Sequence, residues 1–214
     1  MMQFTNYDAF RVALQTLIEG DDSTGGTFNT STLDLMVGLG EGRVYHGDNQ
    51  TGGLRASAMV EALSATVTAN AAPLPADLLE LKEVYFSGKA PLDVVPLDRL
   101  RALEADGQSG GDARYCAQDG DTLRFWPTAT GTVHGSYYAK PDSIVTVTPW
   151  ADATTFARYP ELFLYACLYE SALYLGMDSK APIWEGRYRA LADGANHSER
   201  SRVFGGPPLR VRTR

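Results

Sequence analysis

The run YPELFLYACLYESALYLG at 159–176 constrains the fold of this chain more than any other stretch. Pro160 suits a first helical turn, where a missing N–H costs nothing, and Gly176 suits a helix C-cap. Between them only Glu161, Glu170 and Ser171 are clearly polar. Leu162, Ala166, Tyr169 and Leu173 lie on one side, while Phe163, Leu164, Cys167, Leu168 and Leu175 cover the rest. A helix that is apolar all round is buried in protein or lies in a membrane. This run is shorter than the ~20 apolar residues a bilayer needs and carries Glu170. It therefore predicts a central helix surrounded by other protein.

The chain beyond Gly176 is different in kind. From about Ser179 a second helix places Ala181, Trp184, Tyr188 and Leu191 on one face, with Glu185, Arg187 and Arg189 off it, which is amphipathic. After Gly194 the period stops. Residues 199–214, ERSRVFGGPPLRVRTR, hold two glycines and two prolines and predict an extended arm. Five arginines against one glutamate give the arm a formal charge of +4; the whole chain is −7, which leaves −11 on the remainder. Val203, Phe204, Leu209 and Val211 sit between the arginines. A purely solvating tail, common at chain ends, would not need them. Sixteen residues span at most ~55 Å when stretched, enough to pass their own subunit. Such an arm gains affinity by strand addition or pocket insertion, with arginines pairing to partner carboxylates.

The remaining chain reads in order as helices, strands, then helices. Thr5-Asn6-Tyr7-Asp8 fits a capping box, and a stripe of Phe10, Leu14, Leu17 and Ile18 then runs to Gly20. Residues 21–27 predict a polar, glycine-rich loop. A second helix starts near Thr30 or Ser31 and carries Leu33, Met36, Val37 and Val44. Gly38, Gly40 and Gly42 weaken it by ~1 kcal/mol each, or allow close approach of a neighbouring helix. They do not make a phosphate loop, which joins a strand to a helix. From about Ser57 the period changes to two, predicting a strand through Thr68, a proline-bounded turn at 71–76, a strand at 79–86 and a third at 92–95. Pro96 opens a short helix with Leu100 and Leu103 inward. Asp119-Gly120 signals a hairpin between 114–117 and 123–126, and 132–139 supplies the last strand. Residues 141–155, with Trp150, form an irregular return.

Helices grouped apart from an antiparallel sheet make an α+β fold. The expected organisation is a small helical bundle from 1–56 and 141–198, an inserted antiparallel β region at 57–140, and an extended C-terminal arm at 199–214. With 214 residues, the chain can bury a sizeable core. No segment is long enough to cross a membrane. Residues 1–19 lack the apolar core of a secretory signal, so synthesis in the cytoplasm of the producing cell is expected. A net charge of −7 argues against broad nucleic-acid affinity. Cys116 and Cys167 read as buried free thiols.

No catalytic, cofactor or metal constellation assembles. His46, His134 and His197 occur singly, without the i, i+4 partner of a helical zinc site. Asp119 and Asp121 could pair for glycoside hydrolysis, but they bracket a turn glycine, where aspartate is a turn former. Tyr159, Tyr165, Tyr169 and Tyr174 at helical spacing fit a core or subunit interface better than a sugar platform.

LPADLLELKEVYF (74–86), PLDVVPLDRL (91–100), the 159–176 helix, IWEGRY (183–188) and GGPPLRVR (205–212) resemble, in order and spacing, the head-to-tail adaptor (connector) proteins of tailed bacteriophages. The resemblance covers both ends of the β excursion and almost all of the C-terminal third, and is weakest at 21–53. It implies a non-enzymatic, dodecameric ring that docks beneath the portal in the virion and lines the channel. Double-stranded DNA would pass through without specific binding. The arm would climb onto the portal protein through Arg200, Arg202, Phe204, Leu209, Arg210 and Arg212. Tyr165, Tyr169, Trp184 and Tyr188 would lie at subunit interfaces, and the β region would face a tail nozzle or hub. No membrane and no cofactor are implied. Another neck or tail-completion protein, or a tail-associated cell-wall hydrolase using Glu161, Glu170, Asp119 or Asp121, is the alternative.

Overall fold

The structure is a computed structural model that describes residues 4–19, 28–48, 50–107 and 111–204, with the backbone alone at 203 and 204. The expected loop at 21–27 and the arm beyond 204 lie outside the described residues. The α+β class is borne out. The chain divides into two compact units, Met1–Ala58 with Pro141–Arg214, and Met59–Lys140.

The first unit is helical. Helix α1 (Tyr7–Glu19) buries Phe10, Leu14 and Ile18, while Leu17, expected on the same stripe, is 43% exposed. Its cap is Asn6, whose Oδ1 accepts from the Ala9 amide at 2.8 Å, rather than the expected Thr5 box. The helix starts at Tyr7, so Asn6 is the residue that can reach the third helical amide. Helix α2 (Thr30–His46) is capped by Asn29, which accepts from Thr32 N at 2.8 Å.

Gly40 is where α2 meets α5 (Pro160–Leu175): a Cβ there would lie 2.5 Å from Cys167 Sγ and 2.8 Å from the Cys167 backbone nitrogen. The two backbones touch at a place that admits no side chain. Gly38 and Gly42 have nothing within 4 Å. Helix α5 is buried through its first three turns, as its sequence requires, but Leu173 and Tyr174 in the last turn are exposed. Gly176 closes it in the left-handed conformation at φ 65°. The short helix α4 (Thr154–Arg158) within the irregular return drives Phe156 into the core. There Phe156 meets Phe10, Trp150 and Phe163 at ring separations of 5.1–5.4 Å, mostly edge to face. Helix α6 (Ala181–Phe204) packs on α5.

The second unit holds two sheets. β1 (Val60–Val67), β7 (Gly131–Ala139) and β3 (Leu78–Phe86) form one, in the order β1-β7-β3 and wholly antiparallel. β2 (Ala71–Pro73), β6 (Thr122–Trp126), β5 (Tyr115–Asp119) and β4 (Asp93–Val94) form the other. β2 replaces the first half of the expected turn at 71–76. The reversal comes earlier, at Ala69 and Asn70, both at positive φ. β4 pairs with β5 in parallel, so the region is not uniformly antiparallel as expected. Helix α3 (Leu97–Ala105) comes after β4 and buries Leu100. The core between the sheets includes Leu63, Val84, Phe86, Cys116, Leu123, Phe125 and Val133, with Phe86 and Phe125 in ring contact at 5.5 Å. The hairpin loop is Gly120-Asp121, one residue beyond the expected position, because Asp119 already pairs with Thr122.

Among the described residues the buried carboxylates are Glu41 and Glu199. Each grips one of the two chain crossings between the units from within the helical one. Glu41 accepts from Ser143 Oγ at 2.7 Å and Ile144 N at 2.8 Å. Glu199 accepts from Ser57 N at 2.9 Å.

Candidate functional site

The basic C-terminal region begins on a helix. α6 continues through Gly194, where the apolar period in the sequence stops, to Phe204. The first six residues expected in an extended arm are thus helical. The reason lies in tertiary contacts: Ala195 and Glu199 are buried, at 6% and 3% exposure, and hold the last turns against the body. Gly186 and Gly194 have open space around them and ordinary φ, so they cost the helix only propensity.

Glu199 is the centre of this root. Its carboxylate accepts from Tyr159 Oη at 2.5 Å as well as from Ser57 N, and it pairs with Arg158 and Arg202, each at 3.3 Å. Arg158 Nη1 and Arg202 Nη1 also donate to Ser57 Oγ, at 2.9 and 3.1 Å. Burial alone would raise the Glu199 carboxyl. The hydrogen bonds from Tyr159 and Ser57 and the charge of Arg158 outweigh it and hold the group below the usual carboxylate range. The same contact, added to burial, pushes the Tyr159 phenol up to about 12.

Of the residues expected to bind a portal, Arg200 is exposed on α6. Arg202 has half its side chain exposed, with its guanidinium engaged by Glu199 of its own chain. Phe204 is the last residue of α6 and is described by its backbone alone, while Leu209, Arg210 and Arg212 lie outside the described residues. The four residues expected at subunit interfaces cluster on α5 and α6. Tyr188 is corrected to an internal residue: it is 1% exposed and donates from Oη to the Arg43 carbonyl at 3.1 Å, leaving no ring surface for a second copy. Tyr169 is half-buried, donates to Glu185 at 3.2 Å and lies under the Arg43 guanidinium at 4.5 Å. Tyr165 faces Arg187 at 5.8 Å and Trp184 faces Lys180 at 5.5 Å. Arg43 also pairs with Glu170 and, at 3.0 Å, with Asp48. Arg43 therefore ties α2 to α5 through its guanidinium and to α6 through its backbone carbonyl.

The sequence profile of the SU10 adaptor proteins matches residues 5–212, nearly the whole chain. The chain belongs to the SU10 adaptor protein family. It is a family of phage head–tail adaptors, and the adaptor's role is structural. Among curated proteins none matches the adaptor.

The adaptor also exposes apolar residues on α2, α5 and α6, of which Leu35, Leu39 and Ile183 were not singled out by its sequence pattern. Leu35 and Leu39 stand on α2 at 52% and 43% exposure, and Leu173, Tyr174 and Ile183 at 52%, 60% and 69%. A signal exists: Leu35 and Leu39 are i, i+4 on α2 but off the stripe of Leu33, Met36, Val37 and Val44. Two of the four candidate carboxylates for hydrolysis, Glu170 and Asp119, are otherwise engaged. Glu170 pairs with Arg43, and Asp119 lies 3.4 Å from Arg124 while its carbonyl accepts from Thr122 Oγ1. Both thiols are buried and free, with burial pushing Cys116 up to about 12. Among the described residues no three His, Cys, Asp or Glu side chains are grouped to hold a metal, and no helix is long and apolar enough to cross a membrane.

Proposed function

We propose that this adaptor assembles as a dodecameric ring beneath the portal, joins it to the tail nozzle or hub, and lines the DNA channel in the virion. The observation that carries the reading is the root of the arm. A buried carboxylate fixes the end of α6, and beyond it the sequence supplies ten residues with three more arginines and the apolar pair Leu209 and Val211. Fixing the root lowers the entropy lost when the segment binds. Arg200, Phe204, Leu209, Arg210 and Arg212 carry portal binding, with Arg202 divided between Glu199 and the partner. The acidic remainder, at −11, keeps a passing polyanion mobile by like charge. The exposed apolar residues of α2, α5 and α6 supply contacts between copies, with Tyr165, Tyr169 and Trp184 at their margins. The role is scaffolding, without catalysis.

The test is removal of residues 205–214. A cut after Phe204 spares Glu199 and every buried residue of α6, whereas a cut after Gly194 would strip Ala195 and Glu199 from the fold. The protein ending at Phe204 should keep the thermal transition and circular dichroism of the full chain, yet fail to co-sediment with portal rings. Undiminished co-sedimentation would overturn the reading.

A further inference from the structure

An open sheet ends in strands whose outer N–H and C=O groups lack a partner, and native folds blunt such edges with bulges, charges, prolines or short strands. Three of the four edges described in the β unit are blunted. β4 has two residues, and β2 has three and ends at Pro73. β3 is long, but its pairing with β7 shifts register twice and it carries Glu80, Lys82 and Glu83. Its Val84 carbonyl already accepts from Leu92 N at 2.7 Å.

β1 is the exception. Its eight residues, VEALSATV, pair with β7 in one unbroken register from Val60 to Val67, and Glu61 is its only charge. Among the described residues no backbone–backbone hydrogen bond outside that pairing involves 60–67. Backbone groups of successive residues in an antiparallel strand point to opposite sides, so about half of these donors and acceptors face away from β7. Glu61, Ala62, Ser64 and Thr66 are exposed, which leaves the approach open. On the core side Leu63 and Val67 are buried and Ala65 is partly buried, so the apolar layer runs out to the edge.

Charge and pattern define what fits there. Residues 59–140 hold eleven Asp and Glu against seven Lys and Arg, a net charge of −4. A second copy offering its own β1 would set −4 against −4 and bring no cation to Glu61. A basic segment meets no such repulsion, and apolar residues at its every second position continue the layer of Leu63, Ala65 and Val67.

We propose that β1 is a docking edge that accepts, by strand addition, an extended basic segment of another protein, alternating apolar with small polar residues and placing a Lys or Arg beside Glu61. Main-chain hydrogen bonds supply the affinity and the alternating side chains the selectivity. That the donor is a tail-side protein rests on the placement of the β region proposed above; the edge itself does not.

The test is residue-resolved amide hydrogen exchange on the full-length adaptor. In the protein alone, about every second amide of 60–67 should exchange at least tenfold faster than its neighbours. The peptide acetyl-KVTVTVK-amide, at millimolar concentration, should slow those amides at least tenfold and leave 78–86 unchanged, whereas acetyl-EVTVTVE-amide should not slow them. Glu61→Lys, at an exposed position, should keep the melting temperature and weaken the effect of the basic peptide several-fold. Uniform protection of 60–67 in the protein alone would overturn the proposal, marking a second copy on the edge if the mass is doubled and a segment of the same chain if it is not. Equal effects of the two peptides, no effect of either, or protection at 78–86 instead would also overturn it. Co-sedimentation with portal rings tests the separate reading. A protein whose β1 is protected by the basic peptide but that never joins portal would sink the portal role alone. Portal binding without that protection would sink the docking edge alone.

Discussion

Glu199 shows how a single side chain changes the meaning of a stretch of sequence. Read along the chain it is the lone acid of a basic arm. In the fold it is 3% exposed and ties Ser57, Arg158, Tyr159 and Arg202 together. No local pattern announces this, because Ser57 is 142 and Tyr159 is 40 positions away. Replacing it by glutamine keeps the shape and removes the charge, at an expected cost of about 1–3 kcal/mol at neutral pH from weakened charge-assisted hydrogen bonds. The sign of the pH dependence comes from the lowered folded-state value. Stability from Glu199 is complete above the ordinary glutamate range and is lost as the pH falls through the lower folded value. Urea unfolding at pH 7 and under acid conditions should therefore show the gap between wild type and Glu199→Gln narrowing with acidity. A gap that is constant or widens would refute the assignment.

At the scale of elements, the sequence was readable where burial tracks a local period and unreadable where pairing is remote. α1, α2, α5 and the strands β1, β3 and β7 stand close to their expected positions because 3.6- or two-residue periods mark them. α6 outran its expected end because its last two turns are polar and are held by contacts rather than by an apolar stripe. β2 and the parallel β4–β5 pair are two or three residues long, too short for a period to register. The α2 glycines divide the same way. Gly40→Ala should destabilise by about 1–3 kcal/mol through overpacking against the Cys167 backbone. Gly38→Ala, exposed and without neighbours, should stabilise by up to ~1 kcal/mol through helix propensity. Thermal melts of the two variants moving in the same direction would contradict the close approach of α2 and α5.

For the whole molecule, the proposed ring must be built from surface that a single copy leaves uncovered. Tyr188 illustrates the difficulty of reading this from sequence: an aromatic beside leucines looks the same whether it fills its own core or a neighbour's. Leu35 and Leu39 give the sharper expectation. Leu35→Glu with Leu39→Glu should leave the monomer's melting temperature within a few degrees, since both are exposed and surface changes rarely exceed ~0.5 kcal/mol. The mass of the complex formed on portal rings should fall well short of one full ring. A complete ring with both substitutions would remove α2 from the contact surface.

The two gripped crossings have a mechanical consequence. Tension applied to the β unit would reach the helices through Ser57 on one side and through Ser143 and Ile144 on the other. At each place a buried carboxylate shares the strain with the covalent backbone. Force is thereby handed to α2 at Glu41 and to α6 at Glu199, and a tug on the lobe is felt at the base of the C-terminal segment.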